Sequence, residues 1–469
     1  MQLRHLTLAA GLLLPAPLPA QQTLSEADRG MARAILAELV AINTTKDSGA
    51  TRAAQALARR LTAAGFPAGD VQLAGPHPKH QNLVVRLRGR GGARPILFLA
   101  HLDVVEARRE DWSMDPFTLT ERDGWLYGRG TIDIKDEVAG LVTNLIRLRR
   151  ERYVPDRDIV AVLTDHEEGG DANGAAWLLA NRREWLNAGY VINLDAAGGQ
   201  MQYGRRLRNV VQTSEKIYAT YLLEVTGPGG HSSMPQPHNT IYVLARGLER
   251  LSAYAFPVRL TATTRGFFDR LGRQISGGTG RDLRAIAGGQ TDSAAVARVS
   301  ETPMYNSSMR NTCVATMLEA GHAENALPQR ARATVQCRLL PGESASAIRD
   351  TLARVVGDTA IHVSIKGGPA GAPPEGAPES PLNPEVMTAV ETVTHALWPE
   401  VIVLPVMDPW TSDGTQFRRA GIPVYGVSGV FSDIDDDRSH GRDERVLAEA
   451  FYQGVEFNYR LLKALTGAP

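Results

Sequence analysis

Four short, continuously apolar runs constrain this chain most: NLVVRLRG at 82–89, PILFLA at 95–100, DIVAVLT at 158–164 and YVINLD at 190–195. Apolar character without alternation suits strands covered on both faces. Around them, apolar residues recur at helical spacing over 24–42, 51–65, 137–150 and 173–183. Gly65 is a suitable stop for the second of these. Such strands alternating with helices predict an α/β fold with a mainly parallel central sheet and helices on both faces.

The apolar runs stop at residues that carry chemistry. His101 follows PILFLA, Glu167 and Glu168 come just after DIVAVLT, and Asp195 closes YVINLD. In open α/β sheets ligands gather beyond the carboxyl ends of strands. Asp133 and His440 add one more carboxylate and one more imidazole. Taken singly, each reads as a capping or loop residue. Together they are hard and borderline metal ligands, enough for two zinc-class ions sharing one carboxylate. Glu167 is then left over, and it is the right residue type for a general base. The set points to a hydrolase.

At 469 residues the chain is too long for one core, so two domains are expected. Its 51 basic and 51 acidic residues balance, which argues against nucleic acid or an anionic membrane and for a peptide or small-molecule partner. Residues 1–20 read as a signal peptide: Arg4 and His5 start it, Leu6 to Leu14 are mostly apolar, and Ala20 is a small residue at the cut. Leu18 is larger than usual at its position. The apolar run is too short for a stable membrane span, so export to the periplasm or the medium is expected. Cys313 and Cys337 could pair or stay as free thiols; their spacing is not metal-like.

A second region differs in character. Residues 217–226 and 330–340 read as strands, 239–253 and 343–356 as helices, and 361–366 as a further strand. This composition suits a small α+β domain with helices on one face of its sheet. The Gly/Pro-rich stretch 367–381 is a linker by composition. The expected division is therefore a catalytic domain in two parts, 21–212 and 371–469, with residues 213–370 inserted between them. Residues 255–308 fit neither pattern.

The ordered motifs resemble the M20 family of metallopeptidases. They are His101-Leu102-Asp103, GRGTIDIKD at 128–136, HEEGG at 166–170, NLDAAGG at 193–199, GPGGHSSMP at 227–235, NALP at 325–328, TSDGTQFRRAGIPVYG at 411–426 and SHGRDER at 439–445. The resemblance implies a zinc-exopeptidase-like catalytic domain and a ferredoxin-like lid and dimerisation domain, hence a homodimer. It implies two Zn2+ ions, with Co2+ or Mn2+ as substitutes. Asp133 would bridge them, His101 and Asp195 would complete one ligand set, and Glu168 and His440 the other. A shared carboxylate screens the repulsion between two close cations, and paired metals hold and acidify a bridging water. Asp103 would accept a hydrogen bond from the His101 imidazole.

The same resemblance makes Glu167 the general base acting on a metal-bridging hydroxide. His231 would be an oxyanion donor supplied by the partner chain, and Asn325 and Arg338 would bind the substrate's free carboxylate and carbonyl. Thr411 to Gly414 would form a loop at the substrate pocket. The family usually has Asp where this chain has His166, which reads as a neighbour rather than a ligand. The implied reaction is cleavage of the amide before a C-terminal amino acid, by a carboxypeptidase or dipeptidase. An N-acyl-amino-acid amidohydrolase would use the same machinery. A metal-holding pseudoenzyme is disfavoured because Glu167 and His231 are both present, and a mere assembly protein because it does not explain the ligands.

Overall fold

The computed structural model describes residues 24–169, 172–290, 292–367 and 376–467. The leader at 1–20 and the middle of the linker at 367–381 lie outside the described residues. No described helix is long and apolar enough to cross a membrane.

A ten-stranded sheet organises the larger unit. At its centre run four parallel strands in the order Ile159–Thr164, Ile96–His101, Tyr190–Asn193 and Val424–Gly426. The first three are buried at every position, as continuous apolar runs require. The sheet as a whole is mixed rather than uniformly parallel. His80–Leu87 runs antiparallel beside Ile159–Thr164, and Val71–His77 folds back on it as a hairpin at the edge. Val71–His77 contains Gly75 and Pro76, so its sequence hides a strand, and an edge is where such a strand is tolerated. On the other side, Arg205–Glu215 is antiparallel to Gly198–Gln202 and parallel to Ile402–Asp408.

Helices cover both faces. Glu26–Ala41, Lys135–Arg150 and Ala448–Thr466 pack together on one, burying Ile35, Leu39, Val138, Val142, Phe451 and Leu462. Gly174–Asn181 and Gly414–Arg419 lie on the other, with Leu178 and Phe417 in the core. The first helix begins where Ser25 accepts the backbone N–H of Asp28.

The patternless stretch forms four short helices, Ala262–Gln274, Gly277–Ala287, Ser293–Ser300 and Pro303–Met309. They pack Phe267, Phe268, Leu271, Leu283 and Met309 against Val210 and Leu404 of the large sheet. Gly277, Gly288 and Pro303 interrupt them too often for a clear helical period to emerge.

The second sheet is antiparallel throughout, ordered Thr312–Ala320, Arg330–Leu339, Ile217–Thr226 and His362–Lys366. Helices Thr240–Ala253 and Ala345–Val356 cover one face and share a separate core with it. Cys313 and Cys337 sit directly opposite each other on neighbouring strands and form a disulfide, with Cα atoms 4.1 Å apart.

Candidate metal centre

The Ile96–His101 strand lies between Ile159–Thr164 and Tyr190–Asn193, parallel to both. Ligands gather at the carboxyl ends of such strands, and His101 stands at that end. Its Nε2 is 3.1 Å from Asp133 Oδ1 and 3.5 Å from Asp195 Oδ1. His440 Nε2 is 3.1 Å from Asp133 Oδ2 and 2.9 Å from Glu168 Oε2. Two groups of three donors result, His101–Asp133–Asp195 and Asp133–Glu168–His440, each with its donor atoms within 4.8 Å of one another. Asp133 belongs to both and turns one oxygen toward each imidazole.

The electrostatics suit cations. Burial and the nearby Asp195 charge push the Glu167 carboxyl well above its usual range. Burial raises Asp195 to about 6. Burial opposes ionisation of Asp133 too, but hydrogen bonds from His101 and His440 hold it below the ordinary carboxylate range. Bonds to Asp133 and Glu168 raise His440 to about 10. Four carboxyls, Asp133, Glu167, Glu168 and Asp195, converge here against only two imidazoles, so further positive charge suits the place. The donor set therefore fits two borderline divalent ions.

Two residues tie the loops together. Asp103 Oδ1 and Oδ2 accept the backbone N–H groups of Glu167 and Glu168, at 3.2 and 3.0 Å. His101 Nδ1 meets the Asp103 carbonyl oxygen at 3.0 Å, while the carboxylate stands 3.6 Å away. The imidazole is thus oriented by main chain, and the Asp103 carboxylate holds the turn that carries Glu167 and Glu168. The other tie is Glu444. It is fully buried, receives Arg129 Nη1 at 2.6 Å, and accepts the N–H groups of Gly130, Ile132 and Asp133. Arg129 in turn donates to the carbonyls of His440 and Gly441.

This ion pair joins positions 315 apart and sets Asp133 beside His440. Its removal should be costly. Glu444→Ala leaves Arg129 buried and unpaired, and is expected to lose about 3–5 kcal/mol of stability. Urea unfolding would show it; a midpoint equal to the wild type would mean the pair holds nothing together.

Glu167 lines a cavity of about 250 Å³ with Lys216, Tyr218, Thr411, Asp413 and Arg419. Arg338, half-buried on Arg330–Leu339, lies with its guanidinium 4.7 Å from the centre of the Tyr218 ring. Thr411 is exposed at the cavity wall, and Gly414 is buried, its N–H donating to Ser412 Oγ at 3.2 Å. Gly414 has little room for a side chain: a Cβ there would come within 3.1 Å of Ser412 and Val424.

His231 and Asn325 are brought together elsewhere. His231 lies on the two-residue strand Gly230–His231, paired with Ala326–Leu327, and Ser232 N–H donates to the Asn325 carbonyl at 3.0 Å. Both residues are exposed. Among the described residues no hydrogen bond links them to the metal-ligand groups of the same chain. Sequence reasoning did not single out Arg129, Glu444, Lys216 or Arg419. All but Lys216 stand inside the ordered motifs, but nothing local marks Arg129 and Glu444 as partners of each other.

The profile of Peptidase family M20/M25/M40 matches residues 97–464. Among curated proteins, the N-fatty-acyl-amino acid synthase/hydrolase PM20D1 of Xenopus tropicalis is 28% identical over 380 residues, covering 79% of this chain and 72% of that protein. A succinyl-diaminopimelate desuccinylase of Cereibacter sphaeroides is 28% identical over 392 residues, covering 81% and 86%. The fold is similar to that of the M20 family metallo-carboxypeptidase Sso-CP2 from Sulfolobus solfataricus, with a TM-score of 0.65 at 17% identity over 94% of this chain and 99% of that one.

Proposed function

The chain belongs to peptidase family M20/M25/M40, and from that premise we propose that it cleaves the amide bond before a C-terminal amino acid with a free carboxylate. It is a metallohydrolase with two candidate ligand groups; Zn2+ is the proposed ion, with Co2+ or Mn2+ as substitutes. The observation that carries this reading is the Asp133-centred pair of ligand groups, with Glu167 on the wall of the adjoining cavity.

When bound, two such cations acidify a water and polarise the substrate carbonyl. Glu167 takes the proton of the attacking water and returns it to the departing amine, a task for which a carboxylate suffices beside a cation. Arg338 receives the substrate carboxylate, which a planar guanidinium suits; Asn325, beside His231 in the inserted domain, would reach the substrate together with that histidine, from the partner chain. Replacing Arg338 by Ala is expected to lower kcat/KM by roughly 10- to 100-fold on free acids, the worth of a hydrogen bond to a charged group. C-terminally amidated substrates should be poor with both proteins. An equal loss on amidated and free-acid substrates would remove Arg338 from this role.

A second reading is favoured by a specific feature. A mostly apolar cavity of about 270 Å³ is lined by Val210, Phe267, Met304, Val406, Met407 and Trp410. Trp410 immediately precedes Thr411 of the first cavity. An apolar acyl group would suit such a space, and the curated relative in Xenopus is named for fatty-acyl amino acids. Incubation with dipeptides and with short- and long-chain N-acyl amino acids, read by mass spectrometry, separates peptidase from amidohydrolase. Hydrolysis of none of them, with zinc supplied, would defeat both readings.

We also place the mature protein outside the cytoplasm and assign it a homodimer through the inserted domain. The leader-like N-terminus and the cross-strand disulfide support export. The edge strand Thr312–Ala320 exposes Val314, Met317 and Leu318, and the nearby helix Thr240–Ala253 exposes Ile241 and Tyr242. An apolar edge of this kind calls for a cover. In the dimer His231 of one chain would donate to the oxyanion in the other, a contribution on the order of a few kcal/mol. His231→Ala should lower kcat about 10²-fold with metal content unchanged, and mixing it with a Glu167 variant should restore part of the activity. No recovery after demonstrated subunit exchange would count against a donor in trans.

A further inference from the structure

We infer that His80, Asp165 and His166 form a further metal site, separate from the Asp133-centred pair, that takes a single divalent cation of the Zn2+ class. The three donors come from neighbouring strands of the large sheet. His80 opens His80–Leu87, and Asp165 and His166 directly follow Ile159–Thr164, with which it pairs. Their donor atoms lie within 4.8 Å of one another. His80 Nδ1 is 2.9 Å from Asp165 Oδ2, and the two imidazole rings are 4.2 Å apart between centres.

The site is built rather than incidental. The Asp165 carboxylate is held by two main-chain donors, His166 N–H on Oδ1 at 2.9 Å and Ala50 N–H on Oδ2 at 3.1 Å. Its own N–H is anchored on Asn82 Oδ1 at 2.9 Å. His166 is only 7% exposed, and its Nδ1 has no hydrogen-bond partner. A buried ring nitrogen left in that state is costly, and a cation would satisfy it. Residue 49 is glycine beside the cluster; a Cβ there would come within 2.8 Å of His80 Nδ1. The His80 side chain keeps 17% of its surface exposed, which gives an ion a way in. Two imidazoles and one carboxylate are a borderline donor set, and three protein ligands leave a fourth position for water.

Asp165 and His166 immediately precede Glu167 and Glu168. An ion held by the cluster would pin the segment that delivers the proposed base and one proposed ligand of the other centre. These three are positioning residues, and their site stands apart from the reaction itself. The test is stoichiometry. After equilibration in buffered micromolar free Zn2+, the full chain is expected to hold three ions by mass spectrometry of the metal. His80→Gln should hold two, with circular dichroism unchanged. Equal zinc in the two proteins would overturn the proposal and leave a plain His–Asp ion pair.

A second measurement does not depend on that variant. In the double variant His101→Ala/His440→Ala, one Cu2+ should bind and show superhyperfine coupling to two imidazole nitrogens in its paramagnetic resonance spectrum. Absence of bound Cu2+, or a signal without nitrogen coupling, would refute the site. Because the double variant strips the Asp133-centred pair, failure here is distinct from failure of the hydrolase reading.

Discussion

Glu167→Gln is expected to keep its metal content and lose between about 10²- and 10⁴-fold in kcat, the range for removal of a general base. The substitution preserves shape and takes away only the proton acceptor. Glu167 is not a member of either three-donor group, so ion retention should not change. Its backbone N–H is fixed on Asp103 whatever the side chain, so the turn should stay in place. KM should move little, because the carboxylate end of the substrate is assigned to Arg338. Two results would end the role: undiminished kcat, or a loss of activity that parallels a loss of bound metal.

Much of this site was legible in the sequence for a physical reason. A parallel strand buried on both faces must be apolar throughout, so its end is visible as the first residue that is not. His101, the Glu167–Glu168 pair and Asp195 all stand at or just beyond such ends. Their convergence follows from the strands being neighbours. What stayed hidden depends on contacts between distant segments. Nothing near Glu444 says that its carboxylate will close on Arg129, 315 positions earlier. Lys216 and Arg419 look like solvated cations until the fold lines a cavity with them. The helices over 262–309 were missed because they are short and broken by glycine and proline. The His80–Asp165 contact stayed hidden because it depends on the register between His80–Leu87 and Ile159–Thr164, which neither segment states by itself.

Asp133→Ala is the substitution expected to do most damage, because the two ligand groups have this residue in common. Without it, one group falls to His101 and Asp195 and the other to Glu168 and His440. Two donors hold a borderline cation poorly. Loss of a mere outer partner of a ligand already weakens metal binding by about 10- to 100-fold, so loss of a ligand from both groups at once should empty both at micromolar free Zn2+. Activity should then fall to background, and added Zn2+ should not restore it. The wild type, stripped by a chelator, should by contrast recover on re-addition. Asp195→Ala is the matched control: it touches one group only, so it should surrender about one ion, as read by metal analysis. The ordering matters more than any single value. If Asp133→Ala retained as many ions as Asp195→Ala, the carboxylate would not be shared, and the two groups would be independent sites that happen to lie side by side.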